Sequence, residues 1–202
     1  MREPPGLWDG YTGRLGFDIG ANIGQSAAVM APRFGRVICC EPNQGAYADL
    51  AVAYSGDPKF TLLMVAAADR DGIMSLSACR DSKSELLSPD LIGKSPDPWF
   101  SGELWRVLVP CFTVATLAAA YGVPDFVKVD TEGSEVLVLR GARPVLGQAD
   151  WLVEWHSPAL REECRRLLAG AGLKVTEVPY PYPEGRPPYE GEPQNGWLRA
   201  FR

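Results

Sequence analysis

The segment Gly16-Phe17-Asp18-Ile19-Gly20-Ala21-Asn22-Ile23-Gly24 restricts the possible folds of this chain more than any other stretch. An apolar run ends in a carboxylate, two glycines flank a short turn, and helix formers follow. Glycine accepts positive φ and lets a ligand or a second backbone approach closely. Strand, glycine turn and helix in that order open an α/β sheet, whose ligands lie beyond the carboxyl ends of its strands. The free N–H groups at the helix start suit a ligand carrying a carboxylate.

The rest of the chain keeps the same alternation. Leu15–Ile19, Arg36–Cys40, Phe60–Ala67, Phe126–Asp130, Trp151–His156, Leu173–Val178 and Trp197–Phe201 read as strands, with a shorter piece at Gly72–Ala78. Ile23–Phe34, Gly45–Tyr54, the stretch beginning Glu135–Leu139, and Pro158–Gly170 read as helices. Such alternation predicts βαβ units and a mostly parallel sheet with helices on both faces. Two stretches interrupt it. Residues 81–106 read as an insertion loop with short helices, and residues 179–195 as a Pro/Tyr-rich loop. Long loops in a compact fold often serve as lids, although plain surface excursions fit equally well.

At 202 residues and 46% hydrophobic content the chain suits a single domain spanning 1–202, within the usual ~100–200 residues. The net charge of -5 gives no cationic field for a polyanion, so neither nucleic acid nor a membrane surface is an expected partner. No run reaches the ~18 apolar residues of a membrane span, and residues 1–8 lack the apolar core of a signal peptide. Cys39, Cys40, Cys79, Cys111 and Cys164 are odd in number and lack a C-x-x-C spacing. They read as reduced thiols of a cytoplasmic protein.

The turn reads D-x-G-x-N-x-G rather than the dinucleotide pattern G-x-G-x-x-G. An acid ahead of the glycines would repel a pyrophosphate but suits a ligand bearing an ammonium and a sulfonium. S-adenosylmethionine (SAM) has both. No G-x-x-x-x-G-K-[ST] is present, so a nucleotide triphosphatase has no support. Glu41, 23 residues after Asp18 and followed by Pro42, lies where an acid can accept hydrogen bonds from ribose hydroxyls; a helix N-terminal charge is the other reading. Val65-Ala66-Ala67-Ala68-Asp69 ends its strand in small residues that leave room for an adenine. Phe126-Val127-Lys128-Val129-Asp130-Thr131-Glu132-Gly133-Ser134-Glu135 ends in a dense acidic turn, with Lys128 and Asp130 on one strand face by the period of two. Glu132 and Glu135 sit where a helix dipole tolerates acids.

Taken together, F-D-I-G-A-N-I-G (17–24), E-P-N (41–43), A-A-A-D-R-D-G (66–72), F-V-K-V-D-T-E-G-S-E (126–135) and V-L-V-L-R-G-A (136–142) resemble the FkbM-type methyltransferases, within the class I SAM-dependent fold. The resemblance runs from about residue 15 to 156. It implies a Rossmann-like seven-stranded sheet with a reversed final hairpin, the last strand antiparallel. It also implies that Asp18, Gly20, Asn22 and Gly24 line the methionine part of SAM and that Glu41 and Pro42 hold the ribose. Ala66 and Ala67 would flank the adenine, and Asp130 would face the methyl group. Members of the family mostly methylate hydroxyls of sugars, polyketides and other secondary metabolites. This sequence departs from the family at Met64, where a polar residue is common, and at Thr113-Val114-Ala115, where T-L-D is common. The long N-terminal extension of many members is nearly absent.

Methyl transfer to a hydroxyl requires alignment within ~3–3.5 Å of the methyl and benefits from a base. His156, the only histidine, or Asp130 is the candidate proton acceptor, with Glu154 orienting it. Ser84, Glu132, Trp99 and Tyr182 are the candidate acceptor-binding residues, on the turn and the two loops. No resident metal is expected. Asp130, Glu132, Glu154 and His156 could cluster around Mg²⁺, but their spacing does not require it. N-methylation, a non-catalytic methyltransferase-like binding module and an NAD(P)-linked oxidoreductase are the rival readings. The acceptor's identity and the oligomeric state are not written in the sequence.

Overall fold

The computed structural model describes residues 4–78, 84–87, 105–179 and 195–202. The chain begins with a buried approach, in which Leu7, Trp8 and Tyr11 pack against the sheet and the Tyr11 hydroxyl donates to the Trp151 carbonyl at 2.8 Å. There follow β1 (Gly13–Ile19), α1 (Gln25–Met30), β2 (Phe34–Cys40), α2 (Gln44–Tyr54), β3 (Phe60–Leu63), β4 (Ala66–Ala67), β5 (Gly72–Ala78) and β6 (Ser84–Leu87). The second half holds β7 (Trp105–Phe112), α3 (Val114–Tyr121), β8 (Phe126–Val129), α4 (Glu135–Gly141), β9 (Asp150–Trp155), α5 (Pro158–Gly170), β10 (Lys174–Pro179) and β11 (Gly196–Phe201).

Seven strands form the main sheet in the order β10-β11-β9-β8-β1-β2-β3. The pairings from β9 through β3 are parallel, and β11 runs antiparallel to both β9 and β10. This is the mostly parallel, Rossmann-like sheet with a reversed last strand that the sequence implies. Strand residues alternate faces, so two cores form. Phe17, Val127, Val129, Trp151 and Trp155 pack with α3, α4 and α5 on one side, and Val37, Cys39, Phe126 and Leu152 pack with α1, α2 and the N-terminal approach on the other. Cys39, Cys40, Cys111 and Cys164 are buried free thiols.

Three expectations change. The first helix is shorter than Ile23–Phe34: Gly24, left-handed at φ 96°, is its N-cap, and Pro32 follows its last turn while Phe34 already belongs to β2. Proline has no N–H to donate and disfavours helix in the residue before it. The third strand is two strands. Pairing with β2 stops at Leu63, and Ala66–Ala67 then pair with Cys111–Phe112 of β7. A second, four-stranded sheet in the order β4-β7-β5-β6 results, so part of the expected loop at 81–106 is strand. Its inner residues Met74, Leu76, Val109 and Cys111 pack with Leu137 of α4. The Asp71 carboxylate accepts from the Thr113 amide and the Thr116 hydroxyl, both at 2.7 Å, and so ties down the start of α3. Trp99 and Tyr182 lie outside the described residues. Ser84 opens β6, paired through the backbone with Ala78.

Among the described residues, no helix is long and apolar enough to cross a membrane.

Candidate functional site

The carboxyl ends of β1, β2, β8 and β9 meet at one edge of the sheet. Asp18 on β1 stands directly beside Lys128 on β8 in the parallel register. Neither side chain reaches solvent to any extent, and Lys128 Nζ lies 3.3 Å from Asp18 Oδ1, 3.4 Å from Asp130 Oδ2 and 2.9 Å from the Gly20 carbonyl it donates to. Burial alone would lower the Lys128 pKa, but Asp18, Asp130 and Glu154 more than offset it and hold the ammonium above its usual range. One cation therefore bolts the end of β1 to the end of β8. Lys128 shares a strand face with Asp130 by the period of two, whereas its tie to Asp18 depends on the register between β1 and β8.

The turn after β1 bends as its glycines require. Gly20 has φ 78°, and a Cβ there would sit 1.8 Å from the Asp130 carbonyl oxygen. Asn22 is also left-handed at φ 49°, a conformation Asn tolerates better than most residues. Its amide donates to Glu41 Oε2 at 2.9 Å. A Cβ on Gly24 would meet the Tyr54 ring at 2.3 Å, and the Tyr54 hydroxyl donates to the Gly24 carbonyl.

Glu41 follows β2, buried, with Oε1 accepting from the Asn43 amide at 2.7 Å and Oε2 from Asn22. Each oxygen keeps a second lone pair. Burial raises its pKa to about 7, against the two backbone amides that favour the carboxylate. Asn43 in turn caps α2 through Oδ1, accepting from the Gly45 and Ala46 amides, which accounts for the Glu and the Asn of the E-P-N run. Glu41, Pro42, Ala66, Ala67, Gly20 and Asp130 line a single open cleft. Leu76 of the second sheet closes part of its wall.

The acidic turn forms the other rim. Asp130 is anchored by its amide to the Ile19 carbonyl at 3.0 Å, Glu132 is left-handed at φ 50°, and both line the cleft. His156, just past β9, places Nε2 at 3.4 Å from Glu132 Oε2 and 3.7 Å from Asp130 Oδ1, while Nδ1 lies 3.1 Å from Glu135 Oε1. Burial pulls the His156 pKa down, but Glu135, Asp130 and Glu132 outweigh it and raise it to about 10. The ring is thus a cation at neutral pH, paired with the carboxylates around it. Asp130, Glu132 and His156 offer atoms within 4.8 Å of one another, and the imidazolium charge already answers both acids. Glu154, on β9, has its pKa pushed well above the usual carboxylate range by burial and by the Asp130 charge, despite His156 and Lys128. Asp130, Glu132, Glu154 and His156 therefore do converge. The acid bonded to Nδ1 is Glu135 of the adjoining turn, whereas Glu154 on the histidine's own strand was the expected orienter. Its place in the dense acidic run was the only signal.

The chain matches the Methyltransferase FkbM domain over residues 18–176. No curated protein matches the sequence significantly. Among solved structures, a methyltransferase FkbM from Methylobacillus flagellatus KT is similar with a TM-score of 0.64 at 16% identity, covering 94% of this chain and 44% of that one. The chain thus spans less than half the length of that protein. A precorrin-6Y C5,15-methyltransferase from Geobacter metallireducens GS-15 superposes with a TM-score of 0.55 at 11% identity, over 97% of this chain and 84% of its own. The Aeropyrum pernix fibrillarin, solved with natively bound SAM, gives 0.55 at 14% identity, over 94% and 67%. At these identities the structures speak to the fold. The matched span opens on the acid of the first turn and closes in β10, taking in Glu41, the acidic turn and His156 on the way, and on that match the chain belongs to the FkbM methyltransferase family.

Proposed function

We propose that this chain is a SAM-dependent methyltransferase that transfers the methyl group to a hydroxyl of a small molecule, such as a sugar or a secondary metabolite, within one domain. The observation that carries the reading is the shared cleft. Gly20 after β1, Glu41 after β2 and Asp130 after β8 line one space, which supports the roles proposed for them toward methionine, ribose and methyl group. Asp18 behind the turn and Asp130 on the rim supply negative potential for the ammonium and sulfonium of SAM. Glu41 keeps a lone pair on each oxygen for the ribose hydroxyls, and the small side chains of Ala66 and Ala67 leave room for the base.

Bound SAM supplies a methyl already activated by the sulfonium. The protein aligns the acceptor and takes its proton. Asp130 is the residue that belongs both to the cleft and to the acid cluster, so it receives that proton. His156, held as a cation, keeps the neighbouring carboxylates of Asp130, Glu132 and Glu135 in place. Glu154, with its raised pKa, is the group readiest to hold a proton near neutrality. Glu132 stands on the acceptor side of the rim. From the sequence alone, Ser84, Trp99 and Tyr182 are further candidates to contact the acceptor. The buried free thiols support a reducing, cytoplasmic setting.

Calorimetry with SAM and S-adenosylhomocysteine comes first, followed by methyl-labelled SAM against a panel of hydroxylated metabolites, with carbon NMR of the product to separate O-methyl from N-methyl. Asp130→Asn should weaken cofactor binding and, at saturating SAM, still lose most turnover, about 10²–10⁴-fold for a general base. Failure of the wild-type chain to bind either cofactor form would end the proposal, and an N-methyl product would end its choice of oxygen.

A further inference from the structure

Glu135 has no part in the chemistry described so far. It opens α4 and is entirely buried. Its Oε1 accepts from the Thr131 and Gly133 amides at 3.2 and 3.0 Å and from the Thr131 hydroxyl at 3.2 Å, and the same atom lies 3.1 Å from His156 Nδ1. The turn it gathers contains two left-handed residues in succession, Glu132 at φ 50° and Gly133 at φ 111°. Such backbone persists only where surrounding contacts hold it. One oxygen therefore joins a strained loop on one strand end to the imidazole on the next.

We propose that Glu135 is a positioning residue, fixing the His156 ring through Nδ1 so that Nε2 is aimed at Asp130 and Glu132 and the acid turn keeps its shape. An imidazole with one nitrogen tied has a single direction left for the other. That direction is read in the 3.4 and 3.7 Å separations from Glu132 and Asp130. The charged and titratable groups around the ring come from every neighbouring element. Asp130 and Glu132 belong to the turn, Glu135 to α4, Glu154 to β9 and Lys128 to β8. From α5 the Cys164 thiol faces Glu135, and burial keeps it neutral. The ring's raised pKa agrees with this enclosure. Its catalytic meaning rests on the reading of Asp130 as proton acceptor; the geometry of the ring does not.

His156 is the chain's only histidine, so its ring nitrogens give unambiguous NMR signals in the isotope-labelled full chain. In the wild type both nitrogens should be protonated near neutral pH, with the Nδ1 proton slow to exchange. Glu135→Gln keeps an acceptor oxygen for the Thr131 and Gly133 amides but removes the charge, and should lower the ring's midpoint by about 1–3 units. Turnover should fall at unchanged KM for SAM, and that loss should vanish in a His156→Gln background. A wild-type ring without a protected Nδ1 proton overturns the proposal, and this holds even if the Gln variant does not fold. An unmoved midpoint in a folded Glu135→Gln protein, or strictly additive losses in the double variant, overturns it as well. A chain that shows the ring behaviour but transfers no methyl would refute the catalytic reading alone.

Discussion

Replacing Gly20 by alanine separates two reasons for a glycine at that point. The first is conformational: φ is 78°, and an L-residue held in the left-handed region costs about 1–2 kcal/mol. The second is proximity. The new Cβ would lie 1.8 Å from the Asp130 carbonyl oxygen, where real contacts are no shorter than 3.0 Å. The obstacle is backbone, anchored by the Asp130 amide on Ile19, so a rotamer change cannot relieve it. Forced overpacking of this kind adds about 1–3 kcal/mol. Gly172 provides the control, since its φ is 87° and nothing stands within 4 Å of its virtual Cβ. Gly172→Ala should cost the conformational part alone, less about 0.4–1 kcal/mol from a stiffer unfolded chain. Gly20→Ala should therefore be less stable than Gly172→Ala by about 1–3 kcal/mol in urea denaturation, or roughly 2–4 °C in Tm for each kcal/mol at this chain length. Because Gly20 and Asp130 both line the proposed cofactor cleft, Gly20→Ala should also lose most of its affinity for S-adenosylhomocysteine, while Gly172→Ala binds like wild type. Equal stability of the two variants, or a Gly20→Ala protein with undiminished affinity, would show that the close approach does not shape the cleft.

Three further outcomes follow from the buried charges. If Glu41 binds the ribose as proposed, it does so best as the carboxylate, and with a pKa of about 7 before ligand binds SAM affinity measured by calorimetry should rise by up to about tenfold between about pH 6 and about pH 8. Glu41→Gln should flatten that share of the profile, and an equally steep profile in the variant would refute the assignment. The same raised pKa means that the folded, unliganded protein favours protonated Glu41. Its contribution to stability should therefore be largest below its unfolded pKa and decline as pH climbs to about 7. Lys128→Met would leave Asp18 buried without its cation, at a cost of about 3–5 kcal/mol. Adding Asp18→Asn should recover part of that loss, and equal denaturation midpoints for Lys128→Met and wild type would show that the ammonium is not what joins β1 to β8.

How much of this could be read from the chain depends on where each residue sits along its strand. Asp18, Glu41, Asp130 and His156 lie far apart in sequence, yet each stands at or just past the carboxyl end of its strand. Parallel strands in register bring those ends to one edge, so a chemical residue read at a strand's end was already a residue read into the site. The second sheet was not legible for the complementary reason. Ala66–Ala67 continue the apolar pattern of Phe60–Leu63, and nothing in an apolar run names its partner strand, so the exchange of β2 for β7 appears only in three dimensions. Gly141 shows the same limit from another side. Its place in the R-G-A run marks a family motif, but its reason is the Ala68 carbonyl, 2.0 Å from where a Cβ would stand. Lys128 and Glu135 fall between these cases. Their positions were clear and their partners were not, because a charge inside a strand or at a helix start is ordinary until a neighbouring element arrives to need it. The ends of parallel strands thus announce chemistry, while the contacts that hold those ends in place belong to the packing and must be seen to be known.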